Sequence, residues 1–286
     1  MPSALRVLLR SRPATVGGAI VLFVLLVGLL APALAPYDPL AINVPQRLRP
    51  PSPEYLFGTD DVGRDVFSRV VFGARVSLAV GGLVVLITGV VGLALGLVSG
   101  YYDRVDAVLM RVLDGLMAFP TILLAIALMA ALGARLSNVI IALSVVFAPR
   151  VARVVRSMVL VTREIDFVAA ARALGGADWR VIVRHIMPNC LSPLIVQETF
   201  IFAQSVLVEA ALSFLGAGVP PYIPSWGNII TSGRTFMQIA PWLTVIPGVA
   251  LMLTVLGLNL LGDGLRDLAD PRLRGRSLGR RPTSRE

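Results

Sequence analysis

Six long apolar runs, residues 16–35, 76–100, 107–132, 138–161, 191–214 and 241–261, constrain this chain more than any other feature. Each holds about 20 residues or more, enough at about 1.5 Å per residue to cross a hydrocarbon layer of about 30 Å. Backbone polar groups inside such a layer must be satisfied internally, so runs of this length read as helices. Only 15% of residues are charged, against about 25% in an ordinary soluble domain. The reading is an all-α polytopic membrane protein with six transmembrane helices.

The first run follows Arg6, Arg10 and Arg12. Ala33-Leu34-Ala35 has the look of a signal cleavage site, but the apolar core of a signal peptide spans only about 7–15 residues. We read an uncleaved first helix. Residues 36–75 are polar and proline-rich, with Asp60, Asp61 and Asp65 close to Arg64, Arg69 and Arg75. They read as a solvated loop leading into a short interfacial helix. In the second run Gly92, Gly96 and Gly100 stand four apart, a small-residue pattern that permits close helix packing in lipid. The third run carries Asp114 near its start and Pro120 inside, where a kink is expected. The fourth turns basic at Arg150, Arg153 and Arg156, which read as charge anchors at or beyond the interface.

All 26 basic residues are arginine. A P-loop of the form GxxxxGK[ST] is therefore impossible, and the chain cannot bind ATP through one. The single Cys190 permits no intrachain disulfide, and the single His185 cannot build a zinc site; we expect it to make a local hydrogen bond. With the N-terminus inside and six crossings, nineteen of the 26 arginines fall on the inner side. That bias places both termini in the cytoplasm. The net charge of +9 is thereby explained without nucleic acid.

The same count puts residues 166–189, DFVAAARALGGADWRVIVRHIMPN, in the cytoplasm. Asp166 suits an N-cap, Gly175-Gly176 a left-handed helix end, and Asp178 a second cap. Pro188 should stop the second helix at Met187. Phe167, Ala170, Ala171 and Leu174 give the first helix an apolar face; Trp179, Ile182, Val183 and Ile186 do so for the second. Arg172, Arg180 and Arg184 rim the pair. Such a hairpin suits a hydrophobic cleft on a soluble partner, or it lies on the lipid surface.

This segment resembles the EAA loop of ABC-importer permease subunits, with Ala169, Ala170, Ala171, Gly175, Met187 and Pro188 at the motif positions. FGTDDVGRDVFSRVVFGARVSL (57–78), EAALSFLGAGVPPYIPSWGNII (209–230) and the closing GDGLRDLADPRLR are similar to the second permease type of the dipeptide/oligopeptide/nickel branch. The resemblance implies a MetI-like type I importer permease fold in the plasma (inner) membrane of a prokaryote. It also implies alternating access without covalent chemistry, so the chain would be no enzyme. Expected partners are a sister permease, one or two ATPase subunits that hold ATP and Mg, an extracytoplasmic substrate-binding protein and the lipid bilayer. The ATPase-coupling residues would be Ala169, Ala170, Ala171, Arg172, Gly175, Asp178, Trp179, Arg184, His185 and Pro188. Ala169 replaces the family's usual glutamate at what the capping assignment makes the N3 position, so a capping box is lost. The chain divides into a cytoplasmic N-terminus with the first helix (1–35), an extracytoplasmic segment (36–75), a five-helix core (76–263) with coupling loop 162–190, and a basic tail (264–286).

Ionisable residues within membrane helices default to functional hypotheses. Glu198 and Glu209 are 11 apart and share a helix face with Ser205; Gln197 and Gln204 lie on a neighbouring stripe. We expect Glu198, Ser205 and Glu209 to face a water-accessible pathway or a subunit interface. Di- and oligopeptides are the expected solutes, with nickel or another peptide-like or chelated substrate as the alternative. A secondary transporter would show inverted repeats, and none is apparent. An intramembrane metalloprotease would need HExxH, which is absent.

Overall fold

The computed structural model describes residues 11–269. Most of them are helical: α1 (Arg12–Leu29), α2 (Val66–Tyr101), α3 (Asp103–Met117), α4 (Thr121–Leu132), α5 (Leu136–Thr162), α6 (Asp166–Ala173), α7 (Asp178–Val181), α8 (Met187–Phe214), α9 (Trp226–Gly233) and α10 (Trp242–Ala269). Five helical stretches are long and apolar enough to cross a bilayer: α1, α2, α5, α7 continued into α8, and α10. The pair α3 and α4, bent by 93°, makes a sixth if counted as one span. The expected kink at Pro120 is thus a break. Proline disfavours helix in the residue before it, and α3 ends at Met117 while α4 starts only after Pro120.

The α2–α5 seam forms the centre of the bundle. Gly92, Gly96 and Gly100 lie against Val151, Val155 and Val159, where an added Cβ would come within 2.6, 2.5 and 2.5 Å of a valine Cβ. The four-residue glycine spacing therefore marks a real close approach of two backbones, as small residues allow in lipid. Gly96→Val is expected to destabilise this seam by about 1–3 kcal/mol through overpacking. Thermal unfolding in detergent measures it, and a melting curve unchanged from the unaltered chain would show that the seam can yield. On the other side of the bundle α1 packs on α10, where Gly17 abuts Gly257 and Leu261.

The first helix ends at Leu29 and not at residue 35, and three other boundaries differ from expectation for identifiable physical reasons. Helix α2 starts ten residues early, at Val66, because the Asp65 carboxylate caps it by accepting from Ser68 N at 2.8 Å. Helix α10 runs past residue 261 because Gly262 seats against Thr199 and Phe200, and Gly264 against Ala14. The rest of the basic tail, and Arg6 and Arg10, lie outside the described residues. The third is at Pro188. It does not stop a helix; the chain passes from α7 through a π-turn, Ile182–Ile186, into α8. The wider turn removes the clash that a proline ring makes with the carbonyl four residues back.

Most of residues 36–54 is exposed, as expected of a solvated loop, but residues 55–65 fold into a packed knot. Thr59 and Asp60 are fully buried, and Arg69 of α2 is 1% exposed. Asp60 Oδ1 accepts from the backbone N–H groups of Val62 and Arg64, while its Oδ2 receives Arg64 Nε at 2.6 Å and faces Arg69 Nε at 3.6 Å. Trp242 Nε1 donates to the Thr59 carbonyl, and Tyr37 stacks on Tyr55. The neighbouring 215–225 loop is tied down by Asn228, whose amide donates to the carbonyls of Val219, Pro220 and Ile223. These two loops occupy one end of the bundle; α6 and α7 occupy the other.

Candidate functional site

The α6–α7 hairpin is built from a sharply specified turn. Helix α6 ends in a Schellman motif: Gly175 N donates to Arg172 O and Gly176 N to Ala171 O, with Gly175 at φ +79°. A side chain there is strained, which explains the glycine. The caps differ from the sequence assignment. Ile165 is the N-cap of α6 and Asp166 its first residue, so Ala169 stands at the fourth helical position and has no capping box to complete. Ala177 is the N-cap of α7. The Asp178 carboxylate reaches across to α2 instead of capping its own helix. Its two oxygens accept the hydroxyls of Tyr101, at 2.8 Å, and Tyr102, at 3.2 Å. Arg172 lies over the Tyr101 ring at 4.9 Å. The hairpin is thus fastened to the end of α2.

Its inner side is anchored by Val168, Val181 and Ile186, all buried. Its outer side is apolar and open: Leu174 is 89% exposed and Trp179 65%, with Phe167 and Val183 about half exposed. Ala169, Ala170, Arg172, Gly175, Arg184 and Pro188 are exposed as well. His185 is half-buried with its ring 6.2 Å from that of Phe167; the local hydrogen bond at this residue is made by its carbonyl, which accepts from Asn189. Of the ten residues expected to couple, Ala171 and His185 are partly covered and the other eight are exposed, though Asp178 and Arg172 turn their side chains back toward the end of α2.

A ladder of charges behind the hairpin was missed in the sequence. On α5 and just beyond it, Arg163 pairs with Asp103 at 2.8 Å, Arg156 with Asp106 through two contacts, and Arg153 with Asp114 at 2.6 Å. The hydrogen bond to Asp103 raises the Arg163 guanidinium above its ordinary value. The rungs run antiparallel, so α3 is clamped along α5. Arg150 is the next rung, and it meets neutral groups: Thr121 Oγ1 at 2.8 Å and Gln204 Oε1 at 2.7 Å. The three acids of α3 were the available signal, but their partners lie 39 to 60 residues away.

The acidic stripe of α8 faces α2. Glu209 is fully buried and accepts from Ser77 at 3.2 Å and Ser213 at 2.9 Å. Glu198 is 8% exposed and accepts from Thr88 at 2.9 Å. Its Oε1 has no partner among the described residues and it borders an open, apolar cleft of about 480 Å³ lined by Gly89, Leu93, Ile195 and Phe202. Ser205 is buried with no partner for its hydroxyl among the described residues. The structure therefore brings Glu198 and Glu209 onto one helix pair as interhelical hydrogen-bond acceptors. Gln204, on the neighbouring stripe, points instead to α5. No group of three or more metal-ligating side chains occurs among the described residues.

The structure is thus a polytopic helical bundle with an open apolar hairpin fastened to its central helix. Residues 89–275 match the family described as binding-protein-dependent transport system inner membrane component, and residues 3–51 match the N-terminal TM domain of oligopeptide transport permease C. The chain belongs to the first of these families and is a multi-pass membrane component of an ABC importer. A Brucella suis biovar 1 protein that carries the name of a peptide transport system permease is 50% identical over 94% of this chain and 91% of its own length. The dipeptide transport system permease protein DppC of Alkalihalophilus pseudofirmus is 45% identical over 95% and 90%. The glutathione transport system permease protein GsiD of Pectobacterium atrosepticum is 41% identical over 93% and 89%. An inward-facing structure of the MetNI methionine ABC transporter shares the fold at a TM-score of 0.58 and 22% identity, covering 71% of this chain and 97% of that one. The family works with ATPase subunits and a substrate-binding protein.

Proposed function

We propose that this chain forms half of the pathway by which an ABC importer takes up di- or oligopeptides, the other half coming from a dissimilar sister permease. The names of its relatives support the peptide class. The α6–α7 hairpin is the docking surface for an ATPase subunit, which holds ATP and Mg; the outward apolar side chains Phe167, Leu174, Trp179 and Val183 carry this reading. Ala169, Ala170, Arg172, Gly175, Arg184 and Pro188 complete the surface, with Ala171 and His185 at its inner margin. Asp178 transmits motion of the docked subunit to α2 through Tyr101 and Tyr102. The arginine distribution favours both termini and the hairpin in the cytoplasm. The segment 36–65 and the 215–225 loop then face outward and receive the binding protein. Glu198, with one free oxygen on an open cleft, lies at the pathway or at the contact with the sister permease, and Glu209 ties the same helix to α2 through Ser77.

The test is reconstitution. The complex purified through this chain is expected to contain an ATPase subunit and a second permease. In proteoliposomes with its binding protein and ATP it should accumulate a labelled dipeptide. Purification of the chain without an ATPase, or uptake that persists without ATP, would refute the reading.

A further inference from the structure

We infer that Arg150 is a contact for the substrate's carboxylate at the middle of the membrane. Three lines of geometry meet there. The first is the ladder: among the described residues Arg153, Arg156 and Arg163 each have an acidic partner, and Arg150 has none. Its two hydrogen bonds, to Thr121 and Gln204, leave the guanidinium charge without a counter-ion.

The second is depth. Arg150 is 14 residues from the start of α5, Gln204 is 10 from the end of α8, and Thr121 is 11 from the end of α4. At about 1.5 Å per residue all three lie about 15–21 Å from the same end of the bundle, close to the centre of a layer about 30 Å thick. A charge at that depth is costly and faces a water-filled space or a partner. Gln204 is exposed and Arg150 half-exposed, so the site is open.

The third is the break. The 93° bend between α3 and α4 ends at Thr121, so the irregular residues 118–120 sit beside Arg150. Non-helical backbone at membrane depth occurs where it lines a cavity or is buried in protein. An open arginine with a free charge and neutral neighbours fits an anion in transit: Arg can hold a carboxylate in two-point fashion, and Thr121 and Gln204 are free to re-pair when it leaves.

This inference rests on the peptide reading above, and one experiment separates the two. The full complex, with its ATPases and binding protein, is reconstituted and supplied with dialanine or with dialanine amide, which lacks the carboxylate. In Arg150→Gln the ratio of acid to amide uptake is expected to fall about tenfold relative to the unaltered complex, the loss of one charge-assisted pair. Arg150→Lys, which keeps the charge but not the two-point grip, should retain part of the ratio. A ratio unchanged in Arg150→Gln overturns the inference, as does an equal loss of both substrates in the two variants, which marks a structural role. Release of the sister permease by Arg150→Gln with the ratio preserved also overturns it, since the counter-ion is then a partner's acid. Failure of the unaltered complex to import dialanine overturns the peptide reading and this inference with it.

Discussion

Replacing Leu174 and Trp179 together by aspartate is expected to strip the ATPase subunit from the purified complex and abolish ATP-driven uptake. Both side chains are mostly exposed, at 89% and 65%, so neither substitution opens a cavity in the bundle. Beneath them the fold is held by Val168, Val181 and Ile186, the Schellman turn at Gly175, and the Asp178 hydrogen bonds. The variant should therefore insert and melt like the unaltered chain. At an interface, large apolar anchors cost about 2 kcal/mol or more each when removed, so the pair should weaken docking about 10³-fold. Aspartate adds the cost of burying a charge against an apolar groove. Co-purification and the melting curve are measured on the same sample. Retention of the ATPase at its normal ratio would show that the partner docks elsewhere; loss of the ATPase with a collapsed melting curve would show that these residues stabilise the chain itself.

Much of this site was legible because its signals are local. The glycine pair that ends α6 and the apolar residues on either side of it lie within a short stretch of sequence, and the arginine bias that orients the segment is a simple count along the chain. Helix count was legible for the same reason, since an apolar run long enough to span a bilayer states its own structure. What failed was non-local or turned on a competing local rule. Asp178 could cap α7 or bind across to α2, and the tyrosines at 101 and 102 decided for the second. Pro188 reads as a stop only if the turn before it is α-helical, and here it is wider. The arginines of α5 looked like interface anchors because their acidic partners lie 39 to 60 residues back. Prolines and charges at 36–65 have the composition of a solvated loop, and composition does not distinguish that from a knot closed by contacts to Arg69 and Trp242.

That knot gives the second large effect. Asp60 is fully buried and so is Arg69, with Arg64 only partly open. Truncation to Asp60→Ala removes the acceptor of two backbone N–H groups and leaves the Arg69 guanidinium buried without its counter-charge. Breaking a buried pair from one side costs about 3–5 kcal/mol, and that cost falls on a local unit rather than on the whole bundle. Amide exchange at Val62, Arg64 and Val66 is therefore expected to accelerate about 10²–10⁴-fold, while amides of α5 and α8 exchange as before. The combined Asp60→Asn, Arg69→Met variant should recover most of the protection, because it removes both fully buried charges, keeps an acceptor for the backbone and leaves the partly open Arg64 beside Asp61. Recovery by the double substitution separates a charge left unpaired from a simple loss of packing; exchange as fast in the double variant as in Asp60→Ala would refute the ion-pair account. The two ends of the molecule are then separable by experiment. The Asp60→Ala complex should keep its ATPase at full ratio, since α6 and α7 lie at the far end of the bundle, yet lose uptake if the knot receives the binding protein. Normal uptake with an unfolded knot would instead assign that role to the 215–225 loop, which Asn228 holds in place without contact to Asp60.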